Sequence, residues 1–181
     1  MKMSEKRWKL LKSKPIFETK WMSVYSNDYK LPDGKIGKDY YHLARPNYVL
    51  IVAIDDSNRI VVQKNYRRGV DDFVYELPAG WVDNGETPKK AAERELKEET
   101  GYIGEAEIVG EIYPQPGFSS MRAYGALIRI KKDDKGEQDL GHDEHIDYDL
   151  LEFGKVRRML KEGKIKDMGF LSLLTLIGDK I

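Results

Sequence analysis

Apolar and polar residues alternate in short blocks along the first part of the chain, with the two-residue period of β-strands. Residues 22–29 and 38–44 alternate on either side of a Leu-Pro-Asp-Gly turn at 31–34, which predicts a β-hairpin. Residues 48–54 (YVLIVAI) are continuously apolar, which predicts a buried strand. Residues 1–15 are basic and have no clear period, so we expect an arm there.

The pattern then changes from strands to a helix and back again. A helix is predicted from Pro88 to Thr100, because Thr87 can cap its first turn, Pro88 fits that turn, and Gly101 supplies a left-handed residue at its end. This succession of elements predicts an α+β sandwich. The remaining predictions are strands at residues 59–66, 73–77, 106–113, 123–130 and 147–153, a polar loop at 131–145, and helices near 155–162 and 168–177.

The predicted helix carries glutamates on one face. At about 100° per residue, Glu95, Glu98 and Glu99 lie on the same side, and Ala92 and Leu96 form a neighbouring apolar stripe. Negative charges at the C-terminal end of a helix are locally unfavourable, and Glu95 and Glu99 repel each other. A solvated acidic face is the ordinary interpretation of such a cluster. A divalent cation would reverse the repulsion, because hard cations prefer several converging carboxylate oxygens.

The residues around this face resemble the Nudix box. Gly80 is followed by Glu86 and then by residues 94–101 (RELKEETG), with the family's spacing at every polar and glycine position. Tyr102 stands where the family's box ends in an aliphatic residue. The resemblance covers most of the chain and implies a Nudix-type α/β/α sandwich with a mixed sheet, extended by an N-terminal β-hairpin. On this basis we expect the arm and hairpin at residues 1–45 and a Nudix hydrolase domain at 46–181.

The same resemblance implies a metal site in this box. The cofactor would be Mg²⁺ (or Mn²⁺), with two or three ions neutralising a pyrophosphate and lowering the pKa of the attacking water. Glu86 and Arg94 would brace the loop against the helix. The implied ligands are the Ala79 carbonyl and the carboxylates of Glu95, Glu98, Glu99 and Glu144, with Gly80, Glu86 and Gly101 as structural supports and Glu144, Glu98 and Arg94 as the catalytic residues.

The general base is expected on the late polar loop. Glu144 is the first choice by resemblance to nucleoside diphosphate sugar hydrolases, with Asp143 and His142 as alternatives on the same loop. If none of them serves, Glu98 becomes the candidate base.

Two further segments are similar to ADP-ribose pyrophosphatases. One is Pro116-Gly117, and the other joins residues 63–68 (QKNYRR) to residues 76–80 (ELPAG). By this resemblance Arg67 would contact phosphate or ribose, for which its guanidinium fork is suited, and Glu76 would contact a ribose hydroxyl or a base edge. The implied reaction is hydrolysis of a nucleoside diphosphate sugar, with ADP-ribose as the first choice and GDP-mannose among the others.

Several alternatives stay open at this point. They are a nucleoside triphosphate or dinucleoside polyphosphate pyrophosphatase, a non-catalytic nucleotide-sugar sensor, and an enzyme acting on capped RNA. The resemblance also implies a homodimer whose N-terminal hairpin crosses to its partner.

Composition narrows the possible partners and location. The 31 basic and 31 acidic residues leave no net charge, which gives no reason to expect nucleic acid or an anionic membrane as a partner. The chain has no cysteine, which excludes disulfides and thiolate metal sites. No apolar run is long enough for a membrane span, and none follows the N-terminus as in a signal peptide. We therefore expect a cytoplasmic enzyme.

Overall fold

The computed structural model describes residues 6–131, 133–142 and 144–178, and its backbone divides into two compact units. The smaller unit comprises the chain up to Pro46 together with Tyr113–Met121. The larger unit comprises Asn47–Ile112 and the chain from Arg122 onward. Among the described residues, no helix has the length and apolar character needed to cross a membrane.

The smaller unit contains an antiparallel three-stranded sheet in the order β1-β2-β3. Strands β2 (Ser23–Lys30) and β3 (Ile36–Ala44) form the predicted hairpin, which is confirmed. The predicted arm is wrong, because Lys9–Glu18 forms strand β1 and pairs with β2. Every residue of β1 is exposed, so the strand has no alternation of buried and exposed positions to mark it in the sequence.

The larger unit is an α+β fold around a mixed sheet, as predicted. The strand order is β10-β5-β4-β9-β8, with β6 also beside β5 and β7 beside β4. Strands β4 and β9 are parallel, and the other pairs are antiparallel. The elements are β4 (Tyr48–Asp55), β5 (Arg59–Arg67), β6 (Asp72–Glu76), β7 (Ala79–Trp81), α1 (Pro88–Thr100), β8 (Ala106–Ile112), β9 (Ala123–Ile130), β10 (Asp147–Glu152), α2 (Phe153–Lys161) and α3 (Met168–Ile177).

Strand β4 explains why the fold has three layers. Its side chains point alternately to the two faces of the sheet, and both faces are covered. Ile51 belongs to a core that includes the apolar face of α1, whereas Val52 belongs to a second core that includes residues of α2 and α3. A strand buried on both faces has a continuous apolar sequence, and the run at 48–54 is such a sequence.

The sheet opens near one end of β4. Strands β4 and β5 pair at Ile54–Ile60, beside their connecting turn. Farther from the turn, β4 pairs with β7 and β5 pairs with β6. In the opening, the Pro78 carbonyl accepts a hydrogen bond from the Ile51 amide at 2.9 Å. Side chains of β5 and the amides that follow Pro78 can therefore meet the same residue of α1.

Candidate active site

Helix α1 begins and ends at the predicted residues. The Thr87 hydroxyl accepts a hydrogen bond from the Lys90 amide at 3.4 Å, and Pro88 occupies the first turn. At the other end, Gly101 has a φ of +76° and donates its N–H to the Lys97 carbonyl. A side chain at Gly101 is also excluded by space, because a Cβ would lie 2.2 Å from the Gly136 carbonyl oxygen.

Glu99 is the buried member of the acidic face, with 7% of its surface exposed. Its Oε2 accepts hydrogen bonds from Gln63 Nε2 at 2.8 Å and from the Ala79 amide at 3.2 Å. Burial raises the pKa of Glu99 to about 8; the hydrogen bond from Gln63 opposes the rise, and the charges of Glu95 and Glu144 add to it. The ionisation of Glu99 therefore depends on the charges of Glu95 and Glu144.

Glu95 occupies a space that exists because residue 80 is glycine. A Cβ on Gly80 would lie 1.8 Å from Glu95 Cδ, so any larger residue would displace the carboxylate. Burial raises the pKa of Glu95, and the hydrogen bond from Arg94 opposes that rise.

Arg94 connects the loop before the helix to the acidic face. It binds Glu86 through Nε (3.1 Å) and Nη2 (2.9 Å), and Nη2 also donates to the Trp81 carbonyl at 2.9 Å. Its Nη1 donates to Glu95 at 2.8 Å and to Glu98 at 3.0 Å. The hydrogen bonds to Arg94 lower the pKa of Glu86, and the bond to Glu86 raises the pKa of Arg94. The loop and the helix are thus joined by one guanidinium.

The donor set of this region suits a hard cation, because every group that could bind one presents oxygen. Within the described ranges, no three acidic or histidine side chains are gathered closely enough to form a metal site, and Glu95 and Glu98 are bonded to Arg94. The hollow at Gly80, which a Cβ would fill, leaves the Glu95 carboxylate room beside the loop. The oxygen donors and the hollow at Gly80 are of the kind that a divalent cation needs, and the ligand set itself stays a prediction.

The late loop places Glu144 in a tight turn. The Glu144 amide donates to the Gly141 carbonyl, and the Gly141 amide donates to Glu144 Oε2, both at 2.9 Å. The charge of Glu144 adds to the raised pKa of both Glu95 and Glu99. The alternative His142 lies on the same turn and is exposed, and the alternative Asp143 lies outside the described residues.

Arg67 and Glu76 form an ion pair that continues into the acidic face. Arg67 Nε lies 3.0 and 2.8 Å from the two carboxylate oxygens of Glu76. Asn65 Nδ2 donates to Glu76 Oε2 at 3.3 Å and to Gln63 Oε1 at 3.0 Å, and Gln63 Nε2 donates to Glu99. Residues 63, 65 and 67 share one face of β5, since side chains alternate along a strand. A continuous chain of hydrogen bonds thus joins Arg67 to Glu99.

Gln63 and Asn65 link the predicted site residues, and no role was predicted for them from the sequence. Both are nearly fully buried, and Asn65 Oδ1 has no hydrogen-bond partner among the described residues. The available signal was a pair of amides at alternate positions of a strand whose preceding residues are apolar.

Pro116 and Gly117 lie in the smaller unit, in a turn where the Gln115 carbonyl accepts hydrogen bonds from the amides of Phe118 (3.2 Å) and Ser119 (2.9 Å). A Cβ on Gly117 would meet no heavy atom within 4 Å, so local packing does not require this glycine. The substrate contact expected for both residues stays a prediction.

Comparison with known proteins places these features in a family. The model of the NUDIX domain matches residues 44–172. The model of the nucleoside diphosphate sugar hydrolase N-terminal domain matches residues 8–43. Together the two matches cover the box, the late loop and the three-stranded sheet.

Individual relatives agree with the family match. The methanol dehydrogenase activator of Bacillus methanolicus is 32% identical over 162 residues, which are 88% of this chain and 86% of that protein. The ADP-ribose pyrophosphatase of Bacillus subtilis is 30% identical over 140 residues, covering 77% of this chain and 75% of that protein. A solved structure of an ADP compounds hydrolase has the same fold, with a TM-score of 0.81, 21% identity, and coverage of 97% of this chain and 95% of that one. The chain therefore belongs to the Nudix hydrolase family.

Proposed function

We propose that the protein hydrolyses the pyrophosphate bond of nucleoside diphosphate sugars in the presence of Mg²⁺, with ADP-ribose as the first-choice substrate. The products would be a nucleoside monophosphate and a sugar phosphate. The observation that carries the proposal is the hydrogen-bonded chain from the Arg67–Glu76 pair to Glu99, because it connects a group suited to phosphate and ribose with the acidic face of the Nudix box.

Two comparisons support the choice of substrate class. Residues 8–43 match the N-terminal domain of nucleoside diphosphate sugar hydrolases, and a relative over three quarters of this chain is an ADP-ribose pyrophosphatase. GDP-mannose and other nucleoside diphosphate sugars are further candidates, because Arg67 suits the phosphate that they share with ADP-ribose.

The box residues would hold the metal. The carboxylates of Glu95, Glu98 and Glu99 and the carbonyl of Ala79 would bind Mg²⁺ or Mn²⁺, as two or three ions, with Glu144 a further ligand if it is not the base. When bound, these ions neutralise the pyrophosphate and acidify water. Arg94 braces the site by holding Glu86, Glu95 and Glu98 in fixed positions.

The remaining steps belong to the protein's own side chains. Arg67 would bind a phosphate or ribose oxygen, and Glu76 would accept a ribose hydroxyl or a donor on the base edge. Glu144 would take the proton of the water that attacks one phosphorus, while the bridging oxygen leaves with the other phosphate. This assignment is supported by the bond from the Gly141 amide, which orients the Glu144 carboxylate, and by the charge of Glu144, which adds to the raised pKa of Glu95 and Glu99.

We also propose that the protein is a homodimer formed through its three-stranded sheet. The support is a set of apolar side chains on and beside β1 that are about half exposed. They are Trp8, Leu10, Leu11, Ile16 and Phe17. Light scattering would test this, and a mass near that of one 20.9 kDa chain at micromolar concentration would contradict it.

A substrate panel tests the proposed function. Initial rates would be measured with ADP-ribose, GDP-mannose, UDP-glucose, NADH and 8-oxo-dGTP, each with and without Mg²⁺, by phosphate release after coupling to a phosphatase. We expect metal-dependent monophosphate release from one or more diphosphate sugars.

Other outcomes of the panel identify the alternatives. Turnover of a triphosphate that is much faster than turnover of the diphosphate sugars would indicate a nucleoside triphosphate pyrophosphatase. Binding of ADP-ribose by calorimetry without any cleavage would indicate a sensor, although Glu95, Glu98 and Glu99 are all present in this chain. Either result would contradict the proposed function.

A further inference from the structure

The C-terminal end of helix α1 is capped by the late loop. The last four carbonyls of an α-helix lack partners within the regular i to i+4 pattern and need donors from elsewhere. The carbonyl of Lys97 binds the Gly101 amide, as expected for a glycine cap. The next three carbonyls all accept from residues 138–148: Glu98 from the Asp139 amide at 2.8 Å, Glu99 from Gln138 Nε2 at 2.5 Å, and Thr100 from the Tyr148 hydroxyl at 2.6 Å.

Gln138 makes a second bond that closes the loop on itself. Its Nε2 also donates to the Ile146 carbonyl at 3.3 Å. One amide therefore connects the end of α1 with both sides of the segment between residues 138 and 146, and that segment contains Glu144. The Gly136 amide adds a bond to the Gly101 carbonyl at 2.8 Å, which anchors the approach to Gln138.

We propose that Gln138, supported by Tyr148, is a positioning residue that fixes the Glu144 loop on the end of the helix bearing Glu95, Glu98 and Glu99. This inference rests on the proposed function, since it assigns Gln138 a role through the base of that reaction. In this role Gln138 acts through the distance between Glu144 and the acidic face.

The physical case depends on what would replace these bonds. Water could satisfy the Glu99 and Thr100 carbonyls if the side chains were shortened, so the helix itself does not need Gln138 or Tyr148. A water molecule on these carbonyls would not be part of the loop, so it would satisfy the helix end without holding the loop to it, as the Gln138 side chain does. Removing the Gln138 amide should therefore leave α1 folded and allow the loop to sample positions in which Glu144 is displaced, which is costly for a base that must lie within hydrogen-bond reach of its water.

The test compares Gln138→Leu with Glu137→Gln, a substitution at the adjacent exposed residue of the same loop. We expect kcat on the best substrate of the panel to fall about tenfold or more in Gln138→Leu, with KM nearly unchanged, because supporting residues typically contribute 10- to 100-fold. Glu137→Gln should match wild type. Hydrogen exchange of the peptide covering residues 139–146 should accelerate in Gln138→Leu and not in Glu137→Gln.

A double-mutant cycle separates positioning from general stability. If Gln138 acts through Glu144, Gln138→Leu should cost little in a Glu144→Gln background, so the two losses should not multiply. Fully multiplicative losses would overturn the proposal. Tyr148→Phe provides a second variant of nearly unchanged shape. If the loop is positioned as proposed, it should also lower kcat, but by less than Gln138→Leu does.

The outcomes also separate this inference from the proposed function. Wild type with no turnover on any pyrophosphate would contradict the proposed function, and the positioning role with it. Wild type with full metal-dependent turnover, together with normal kcat and normal exchange in Gln138→Leu, would contradict the positioning role alone.

Discussion

Strands β4 and β1 both contain several large apolar side chains, but their surroundings differ. In β4, all residues after Tyr48 are buried, because α1 covers one face of the sheet and α2 and α3 cover the other. In β1, every residue is exposed, including Leu10, Leu11, Ile16 and Phe17 at about half of their surface. The larger unit covers its own apolar strand, whereas the smaller unit leaves one uncovered.

The difference indicates separate sources of stability for the two units. Burial of apolar area stabilises the larger unit. In the smaller unit, β1 is held by backbone pairing with β2, and an edge-to-face cluster of Trp8, Tyr29 and Tyr40 has ring centroids 5.1–5.9 Å apart. A second copy of the chain could bury the apolar side chains that are exposed on this sheet. This burial is the physical reason for the proposed dimer.

The largest expected effect comes from a matched pair of isoleucines. Ile51 in β4 is fully buried, and Ile51→Ala should lower the free energy of unfolding by about 2–5 kcal/mol. Ile16 in β1 is 53% exposed, and Ile16→Ala should change the free energy of unfolding by less than about 0.5 kcal/mol in dilute protein.

At higher protein concentration, wild type should gain stability that Ile16→Ala lacks, because dimerisation adds stability by mass action. Urea denaturation at several protein concentrations measures both, and concentration-independent, equal stabilities of wild type and Ile16→Ala would refute the dimer.

The next effect concerns activity rather than stability. Glu99→Gln replaces a carboxyl group that would bind Mg²⁺ by an amide of nearly the same shape, and it keeps an oxygen for the Gln63 and Ala79 donors. We expect a loss of kcat of about 100-fold on the best substrate and no loss of thermal stability. Glu105→Gln is the control, since the Glu105 side chain is 83% exposed and lies outside the site. Unchanged turnover of Glu99→Gln at saturating Mg²⁺ would disprove the ligand set.

The contrast between the units also explains what the sequence could predict. Elements of the larger unit carry their own signals: the apolar run of β4, the cap at Thr87 and the left-handed Gly101 all predicted structure that is confirmed. Strand β1 was predicted as an arm, because a strand exposed along its whole length has no burial pattern for the sequence to display. Pairing with β2 stabilises β1, and the local sequence of a strand does not indicate which strand it pairs with.

For the site, the sequence supplied the charged residues but not the amides that connect them. Glu95, Glu98, Glu99 and Arg94 were predicted from the resemblance to the Nudix box, and that prediction still has to be tested. Gln63 and Gln138 were missed, because their partners are 36 and 39 residues away along the chain. The opening between β4 and β5 and the capping of α1 by the late loop bring these amides to Glu99, and both are properties of the tertiary fold.

A smaller effect is expected at the turn between β4 and β5. The Asp55 carboxylate accepts hydrogen bonds from the Ser57 and Arg59 amides and from the Arg59 guanidinium. Burial opposes ionisation, but the bonds from Arg59 and Ser57 prevail and lower the pKa of Asp55 below its ordinary 3.8.

Asp55→Asn should therefore lower the free energy of unfolding by about 1–2 kcal/mol at pH 7. Because the folded pKa is the lower one, the cost should be complete above pH 3.8 and shrink as the pH falls through the folded pKa, which urea titrations from pH 7 to 3 would follow. A cost that stays constant over this range would show that the lost bonds, and not the charge, carry the effect.

The smallest effect is expected at the corresponding turn of the smaller unit, between β2 and β3. Asp33 accepts a hydrogen bond from the Lys35 amide at 3.0 Å and pairs with Lys35 Nζ at 3.0 Å, and these two bonds lower its pKa. Both side chains are more than half exposed, so water and salt screen the pair. Asp33→Asn should leave the thermal midpoint unchanged at 0.15 M salt, whereas Asp55→Asn should lower it under the same conditions. Both turns pair an aspartate with a cationic side chain, but Asp55 is buried and accepts more hydrogen bonds, whereas Asp33 is exposed. Equal losses in the two variants would mean that the β2–β3 turn is covered in the folded assembly, and the exposed character assigned to the smaller unit would then be wrong.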